Sequence, residues 1–535
     1  MNTDARLSGR FAKAVDLLTR GDPAGAEHEC LVLLDHGRTA DVLHLLGLCR
    51  MQQQRPREAV EAFVEAVRAN PDEPQLLHDL GRAFSYLGEW LKAAEAYVRA
   101  IDLDPGRAEN YLYLGPIYEQ VNDVVSAERA YRRALECDPK LATAMASLAA
   151  LYEKTNRLAD AEGLTDAALE VDPEDVVANL TRAQLDNRKG AAAPAAERLE
   201  RVMRKQLSPW NRAIAAERLG TAYEALGRYD SAFATFQAGK QVLRSANPGG
   251  VDTGLYSLQT IERLTRHVGR LLEGRSGPSE PTAPAPVFLV GFPRSGTTLL
   301  DQILSSHPGI VVLEERDVLR PALQEHALTE AGMEHAARLD ADARRRHQTR
   351  YWQAAEKLLE QPLAGRLLVD KLPLYTIFIP LITNFFPSAR FIFAVRDPRD
   401  VVLSCFTRSF GLNEAMRHFL SLESTAAYYG AVMDLGIASL EAMPDRMLRL
   451  RYEALVADPE AETRRLCTFL DLEWREELLR FYDTAKRRRI NTPSYQQVTQ
   501  PIYKDALARW RHYSADLAPV LGRLQPYIDY FGYGR

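Results

Sequence analysis

The first half of the chain repeats itself every 34 residues, and this period constrains the fold more than any other feature. Prolines recur at that interval, each behind an asparagine or aspartate at the end of a helical run: Pro71, Pro105, Pro139 and Pro173. Small and aromatic residues keep the same register, in the series Gly47, Gly81, Gly115 and Ala149; Ala59, Ala93, Ala127 and Ala161; Phe63, Tyr97 and Tyr131; and Ala66, Ala100, Ala134 and Ala168. Small residues allow two helices to approach closely, and aromatics fill the gaps between them. The period therefore predicts paired helices that stack into an array.

Paired helices of this kind resemble the tetratricopeptide repeat, in which the proline ends the second helix because it cannot continue it. Four units match well between Ala40 and Pro173, and looser units cover Ala5 to Gly37, Glu174 to Pro209 and Trp210 to Val242. The resemblance implies an all-α solenoid over residues 1–250, with degenerate end units as one-dimensional stacking requires. It implies either a concave surface that holds a protein or peptide substrate or partner, or a scaffold or dimerisation element without a specific ligand. Both interpretations stay open.

The composition changes between residues 251 and 286. A helical pattern continues from Leu255 to Glu273, but the stretch from Gly274 to Pro286 is rich in proline, glycine and serine. Such a stretch is typical of a semi-extended linker. The sequence thus predicts a helix and a linker over residues 251–286, and a second domain over residues 287–535.

The second domain opens with a strand, a glycine-containing turn and a helix. Val287 to Val290 are four consecutive apolar residues, as in a buried parallel strand. Gly291 to Gly296 is a turn of mostly small residues, and from Thr297 onward apolar residues follow at helical spacing. Unpaired backbone N–H groups at the start of such a helix, together with the helix dipole, attract an anion. The pattern predicts a phosphate or sulfate site, and the alternative is a chance glycine spacing in an ordinary turn.

This turn resembles a nucleotide-binding P-loop in its glycine spacing, but Thr297 stands where the P-loop lysine would be. A kinase or another ATP or GTP enzyme is therefore disfavoured, although it remains an alternative. The run from Pro293 to Thr298 is similar to the 5'-phosphosulfate loop of sulfotransferases that use 3'-phosphoadenosine 5'-phosphosulfate. The resemblance gives the role of binding this donor to Arg294, Ser295, Gly296, Thr297 and Thr298.

The composition excludes several other classes of protein. With 535 residues and a net charge of -5, the chain is long enough for two cores and carries no overall attraction for nucleic acid or an anionic membrane. Its cysteines show neither paired nor metal-ligand spacing: Cys30, Cys49, Cys137, Cys405 and Cys467. The first residues are too charged for a signal peptide, and no apolar run is long enough to span a membrane. We therefore expect a cytoplasmic protein without a nucleic-acid partner, a membrane partner or a metal site.

Two charged residues follow predicted strands of the second domain. Glu315 lies just past one strand, Ile310 to Leu313, and Lys371 follows directly on another, Leu367 to Asp370. The ends of parallel strands form the edge where α/β enzymes bind ligands. This region resembles the tyrosylprotein sulfotransferases, and the resemblance implies that Glu315 takes the proton of the acceptor hydroxyl and that Lys371 contacts the bridging oxygen of the donor. On the residues alone, a solvated carboxylate is the alternative for Glu315.

A third strand with a charged end runs from Arg390 to Arg396 and leads into a helix. Asp397 can cap that helix and Pro398 can take its first position, so the helix start is well specified. In sulfotransferases an arginine and a serine at this interval hold the 3'-phosphate of the donor, and the resemblance gives this role to Arg396 and Ser404. A guanidinium suits a phosphate because of its fork of N–H donors.

The C-terminal part of the chain adds further matches to the same family. Tyr452 lies in a stretch that alternates like a strand, Met447 to Glu453, and a half-buried strand aromatic is the alternative for it. In the tyrosylprotein sulfotransferases a tyrosine at this place stacks near the adenine, and a serine and a later lysine touch the donor. The resemblance thus implies donor contacts for Tyr452, for Ser494 or, in a shifted alignment, Tyr495, and for Arg509, which replaces the lysine.

Together these features predict an all-α tetratricopeptide solenoid followed by a P-loop-like α/β sulfotransferase domain with a parallel sheet. The implied reaction is sulfuryl transfer from 3'-phosphoadenosine 5'-phosphosulfate to a hydroxyl, with protein tyrosine as the favoured acceptor, Arg294, Glu315 and Lys371 as catalytic residues and no metal. A glycan, lipid or small-molecule acceptor is one alternative, and a repeat scaffold with an inactive transferase domain is another. The sequence leaves the acceptor and the oligomeric state open.

Overall fold

The structure is a computed structural model that describes residues 3–121, 123–248, 252–273, 285–359, 361–482 and 507–534. Its chain forms two compact units, residues 1–185 and residues 186–535, here called the N-terminal and the C-terminal unit. The greater part of the predicted linker, residues 274–284, lies outside the described residues. The domain limits at residues 250 and 287 stay predictions.

The N-terminal unit consists of antiparallel helix pairs. Its helices are α1 (Thr3–Thr19), α2 (Pro23–Leu34), α3 (Ala40–Gln52), α4 (Pro56–Ala69), α5 (Pro74–Tyr86), α6 (Trp90–Leu103), α7 (Ala108–Gln120), α8 (Val124–Cys137), α9 (Ala142–Lys154), α10 (Leu158–Val171) and the greater part of α11 (Val176–Arg188). Helices α4, α6, α8 and α10 each end one residue before the Asn-Pro or Asp-Pro step of the 34-residue period. The prolines therefore terminate the second helix of each pair, as predicted.

The periodic glycines and aromatics face each other within each pair. A Cβ atom added at Gly115 on α7 would lie 2.3 Å from the ring of Tyr131 on α8, a contact that no real side chain makes. The corresponding distance is 2.4 Å between Gly47 and Phe63. The aromatic rings are fully buried, since Phe63 is 0% and Tyr131 1% exposed. Glycine is thus required so that the large ring of the second helix can pack directly on the backbone of the first.

The C-terminal unit begins with helices of the same kind. They are α12 (Ala192–Met203), α13 (Pro209–Ala225), α14 (Tyr229–Ala246) and, after the repeats, α15 (Leu258–Glu273). The pairing of glycine and aromatic recurs, because a Cβ at Gly220 would lie 2.4 Å from the ring of Phe236. These helices pack on the α/β part: Glu217 on α13 accepts a hydrogen bond from Arg408 at 3.0 Å, and Lys240 on α14 donates one to the Arg408 carbonyl.

A five-stranded parallel sheet forms the centre of the C-terminal unit. The strands are β1 (Val287–Gly291), β2 (Ile310–Glu314), β3 (Leu367–Lys371), β4 (Arg390–Val395) and β5 (Met447–Arg451), in the order β2-β3-β1-β4-β5. The helices that connect and cover them are α16 (Thr297–Ser305), α17 (Arg320–Ala327), α18 (Glu330–Ala336), α19 (Ala341–Leu358), α20 (Ile379–Phe385), α21 (Pro398–Thr407), α22 (Leu422–Ala442), α23 (Tyr452–Ala457), α24 (Pro459–Leu470) and α25 (Ser514–Tyr530).

The central strands are apolar throughout because both faces of the sheet are covered. Phe288 and Val290 of β1 pack in one core with α15, α20, α22 and α25, whereas Val287 and Leu289 pack in a second core with α16 and α24. The alternation follows from the two-residue period of a strand. The predicted fold class, a helical repeat array followed by an α/β domain with a parallel sheet, is confirmed.

Two further observations concern individual predictions. The alternating pattern that predicted a strand from Met447 to Glu453 is wrong at its end, because the strand stops at Arg451 and Tyr452 begins α23. Among the helices of the described residues, none has both the length and the apolar content needed to cross a membrane.

Candidate active site

The loop between β1 and α16 lies at the carboxyl edge of the sheet, where β1 ends at Gly291. Arg294 has a left-handed backbone with φ 73°, and Gly296, the residue before the first turn of α16, has φ 94°. In general the first N–H groups of an α-helix are not used by its own hydrogen bonds, and a helix start such as that of α16 is therefore a suitable place for an anion. Thr297 and Thr298, both buried, stand in that turn.

Gly296 also leaves room for Tyr452. A Cβ at Gly296 would lie 2.6 Å from Cδ2 of Tyr452, and the left-handed φ is itself unfavourable for any other residue. Tyr452 thus lies against the loop from the side of β5, and the guanidinium of Arg396 is 4.8 Å from the centre of its ring. A cation over an aromatic face is attracted by the ring. The loop, the tyrosine and the arginine therefore form one cluster.

Arg294 and Ser404 are in direct contact at this cluster. Nε of Arg294 donates a hydrogen bond to Oγ of Ser404 at 3.0 Å, and Nη1 of Arg396 donates to the Arg294 carbonyl at 3.4 Å. Strands β1 and β4 are neighbours in the sheet. After β1 the chain continues to β2 and β3 on one side of this pair, and after β4 it continues to β5 on the other side. A crevice at such a switch point of an open parallel sheet is where α/β proteins bind ligands. The structure thus brings together both predicted anion-binding junctions.

Glu315 and Lys371 form an ion pair at the ends of β2 and β3. Nζ of Lys371 donates a hydrogen bond to Oε1 of Glu315 at 2.8 Å, and the Glu315 amide donates to the Lys371 carbonyl at 2.7 Å. Glu315 has φ 46°, a left-handed conformation that costs about 1–2 kcal/mol for a residue with a side chain. Backbone strain of this kind concentrates at functional sites, where the surrounding structure holds it in place.

Lys371 is surrounded by carboxylates. Besides Glu315, its Nζ lies 3.5 Å from Glu314 and 3.8 Å from Asp301, and the side chains of Lys371 and Asp301 are both fully buried. Burial alone would lower the pKa of Lys371, but the charges of Glu315, Glu314 and Asp301 more than offset it and raise the pKa above its ordinary value. The surrounding carboxylates therefore favour the charged form of the lysine.

A cavity of about 320 Å³ opens beside Glu315. Carboxylates and one arginine make up part of its wall, namely Glu315, Asp317, Arg320 and Glu414, and apolar side chains make up another part, namely Leu372, Leu374, Ala415 and Met416. Tyr256, which precedes α15, closes it and donates a hydrogen bond to Asp317 at 2.8 Å. The cavity has room for an aromatic ring or a single sugar beside the carboxylate.

Arg509, in the C-terminal segment, contacts the end of the helix that carries Ser404. Its Nη1 donates to Oγ1 of Thr407, the last residue of α21, at 3.3 Å, and its Nε donates to Oε1 of Glu224 on α13 at 2.7 Å. Arg509 is thus paired with a carboxylate of the repeat-like helices. The predicted donor contacts of Ser494 and Tyr495 lie outside the described residues.

Sequence reasoning missed several residues of this site. Asp301 carried a usable signal, because a carboxylate in the middle of the apolar run Leu299–Leu304 must find a buried cation. Tyr256 and Glu224 carried no sequence signal of a role, because their partners, Asp317 and Arg509, are far away in the sequence.

Comparison with known proteins gives the same division of the chain into a repeat part and a transferase part. Residues 286–476 match the sulfotransferase family, and residues 11–74 and 78–142 match the tetratricopeptide repeat. An uncharacterized protein of Aquifex aeolicus is 30% identical over 314 residues, which cover 56% of this chain and 39% of that protein. A protein-tyrosine sulfotransferase of Drosophila melanogaster is 27% identical over 288 residues, which cover 46% of this chain and 53% of the fly protein. This chain thus spans less than two thirds of either relative.

Among solved structures, the chain is similar to a tetratricopeptide repeat protein from Parabacteroides merdae. That similarity has 20% identity and a TM-score of 0.39, and it covers 44% of this chain and 93% of the other. The sequence matches are the stronger finding. Residues 286–476 therefore match the sulfotransferase family, and residues 11–74 and 78–142 match the tetratricopeptide repeat, which confirms the resemblance found in the motifs.

Proposed function

We propose that this protein transfers a sulfuryl group from 3'-phosphoadenosine 5'-phosphosulfate to the hydroxyl of an acceptor. The observation that carries the proposal is the contact between Arg294 and Ser404, at 3.0 Å, because it joins the two strand-to-helix junctions into one anion site. A donor with phosphate groups at both its 5' and 3' positions needs two such junctions side by side. The match to the sulfotransferase family supports the same reaction.

In this proposal the donor lies across the switch point of the sheet. The amides at the start of α16, with Arg294, Ser295, Gly296, Thr297 and Thr298, hold the 5'-phosphosulfate. Arg396 and Ser404 hold the 3'-phosphate, and Tyr452 lies against the adenine. The contact of Arg396 with the ring of Tyr452 supports this arrangement, since it places the cation and the aromatic face together.

The reaction then needs one base and one cation. The acceptor oxygen attacks the sulfur, the bond from sulfur to the bridging oxygen breaks, and the acceptor proton passes to Glu315. Lys371 stabilises the negative charge that develops on the departing phosphate oxygen. Positioning and charge stabilisation supply most of the rate in transfers of this loose, in-line type. The ion pair supports these roles because it holds both groups at one edge of the sheet, with Lys371 buried and Glu315 open to solvent.

We infer that the acceptor is a tyrosine of a protein or peptide. A phenol with an ordinary pKa of about 10 is far easier to deprotonate than an alcohol. The apolar part of the cavity beside Glu315, at Leu372, Leu374 and Met416, suits an aromatic ring. The protein-tyrosine sulfotransferase of Drosophila points to the same acceptor. In this proposal the repeats recruit the protein substrate, and the cytoplasmic location stays a prediction from the sequence.

The test is transfer of labelled sulfate from the donor to a panel of tyrosine peptides, saccharides and small phenols. We compare wild type with Glu315→Gln and with the matched control Glu314→Gln, which removes the same charge next to the same lysine. Glu315→Gln should lower transfer to tyrosine by about 100- to 10,000-fold, the usual contribution of a general base. Glu314→Gln should lower it less than about tenfold.

The other outcomes separate the alternatives. If only a saccharide accepts the sulfate, the proposed donor site stands and the proposed tyrosine acceptor is wrong. An equal loss in both variants refutes Glu315 as the base. Absence of transfer to every acceptor, in a protein that binds the nucleotide, contradicts the enzyme and favours a scaffold with an inactive domain.

A further inference from the structure

Two buried histidines meet between helices α17 and α19, away from the residues assigned to sulfuryl transfer. Nε2 of His326, near the end of α17, lies 3.2 Å from Nε2 of His347 in α19. Both side chains are nearly inaccessible, with 1% and 6% of the residue surface exposed. Glu325, the neighbour of His326, places Oε1 3.8 Å from the same Nε2. Ligand atoms of all three residues lie within 4.8 Å of one another.

The surroundings fix the protonation of one ring. Nδ1 of His326 lies 3.2 Å from the carbonyl oxygen of Gly332, which can only accept, so Nδ1 carries the proton. In the neutral ring Nε2 then carries a lone pair, which accepts a hydrogen bond from Nε2 of His347. A carbonyl that holds the second nitrogen in this way is the usual outer partner of a metal-binding histidine.

The other ring can adapt its protonation. Nδ1 of His347 has no hydrogen-bond partner among the described residues, whereas its Nε2 faces the acceptor Nε2 of His326, so the proton between the two rings can move to Nδ1 and free the lone pair of Nε2. Two neutral imidazoles with facing nitrogens can therefore present two lone pairs to one ion.

The spacing fits a tetrahedral ion. Zinc–nitrogen bonds of about 2.0–2.1 Å at a tetrahedral angle place two nitrogens roughly 3.3 Å apart. The observed separation of 3.2 Å between the histidines is close to this value. The ring of Phe385 packs on both imidazoles, at 5.6 and 4.9 Å between centres, and keeps water from that side. Glu325 is exposed, and Arg350 competes for it with Nη1 at 4.0 Å from the carboxylate.

We propose that His326, His347 and Glu325 bind one divalent transition-metal ion, of which Zn²⁺ is the best match to two imidazoles and a carboxylate. The ion ties the end of α17 to α19. Since α17 begins at Arg320, which lines the cavity beside Glu315, the site braces that wall from outside. It takes no part in the transfer step, so the proposal stands independently of the proposed reaction.

The test is metal binding by the full chain after treatment with a chelator. Wild type should take up one Zn²⁺ more than His347→Ala, with a Kd at or below about 1 μM in calorimetry. Co²⁺ in the same site should give the visible absorption of a tetrahedral complex. Excess Zn²⁺ should raise the melting temperature of wild type by about 3–5 °C, and should not raise that of His347→Ala.

Two further variants separate a metal site from a structural histidine pair. His307→Ala is the matched control, because this buried histidine uses both ring nitrogens for backbone hydrogen bonds, to Glu473 and Gly309. It should keep the ion. Glu325→Gln changes an exposed side chain and leaves the fold intact, yet it should weaken binding by about 10- to 100-fold. An ion count equal in wild type and His347→Ala, or an unchanged affinity in Glu325→Gln, refutes the site.

Discussion

Replacing Lys371 by methionine should slow sulfuryl transfer strongly and destabilise the C-terminal unit. Methionine has a similar length and no charge, so the change removes the cation and leaves the space filled. Three carboxylates then remain around an apolar side chain, since Glu315, Glu314 and Asp301 lie at 2.8, 3.5 and 3.8 Å from Nζ.

The cost of this change follows from the burial of those carboxylates. Glu315 retains 39% of its side-chain surface and Glu314 11%, so both can turn toward water, whereas Asp301 has 0% and cannot. Removing one partner of a buried pair costs about 3–5 kcal/mol. That loss should lower the melting temperature by about 10 °C. Transfer should fall by about 100- to 1,000-fold, the usual effect of removing one electrostatic contact to a developing charge.

A second substitution separates the two effects. Lys371→Met with Asp301→Asn removes the buried charge that lost its partner, so the double variant should recover most of the melting temperature. It should still transfer sulfate at the rate of the single variant, measured as initial rates with labelled donor well below the unfolding transition. Recovery of transfer together with stability would refute Lys371 as the cation that stabilises the departing oxygen.

Four further substitutions, of which Gly163→Ala is a control, test the packing and the electrostatics. Gly115→Ala should cost about 1–3 kcal/mol in urea unfolding because its methyl meets a buried ring, whereas Gly163→Ala, which has open space, should gain about 0.5–1 kcal/mol. Burial raises the pKa of Asp370 to about 8. The folded state therefore binds the proton of Asp370 more tightly than the unfolded state does, and the free energy of unfolding falls as pH rises from about 4 to 8. Asp370→Asn should remove this contribution, which is at most about 1.4 kcal/mol per pH unit. Glu217→Gln should cost about 2–3 kcal/mol because it weakens the pair with Arg408.

Each of these expectations has a contrary result. Equal stability of Gly115→Ala and Gly163→Ala would contradict the contact between glycine and ring. Parallel curves of unfolding free energy against pH for wild type and Asp370→Asn would contradict a neutral buried carboxyl. An unchanged unfolding midpoint in Glu217→Gln would show that α13 is not held to the α/β part through this ion pair.

The sequence predicted the repeat array well because its signals are local and periodic. Each proline ends a helix, and each glycine meets an aromatic sixteen residues later, as Gly115 meets Tyr131. The strands of the α/β part were equally accessible, because four or five consecutive apolar residues before a turn leave few other interpretations. The end of β5 was not predictable from the sequence, because the alternating pattern continues past Arg451, whereas the backbone has already turned into α23.

The candidate site was predictable only where a residue lies next to a strand end. Arg294, Glu315 and Arg396 follow a strand and Lys371 ends one, and parallel strands bring their carboxyl ends to one edge. Contacts between distant segments gave no such signal. The pairing of Glu224 with Arg509 joins a repeat-like helix to the C-terminal segment, and only tertiary packing decides it.

The direct test of the donor site compares the binding of adenosine 3',5'-bisphosphate and adenosine 5'-phosphate, which differ only in the 3'-phosphate. Both affinities are measured by calorimetry, on wild type and on Ser404→Ala. We expect the bisphosphate to bind wild type at least about tenfold more tightly than the 5'-phosphate, a difference of about 1.4 kcal/mol in binding free energy. Ser404→Ala should lose most of that preference. Equal binding of the two nucleotides to wild type would contradict a 3'-phosphate site at Arg396 and Ser404, and with it the proposed donor.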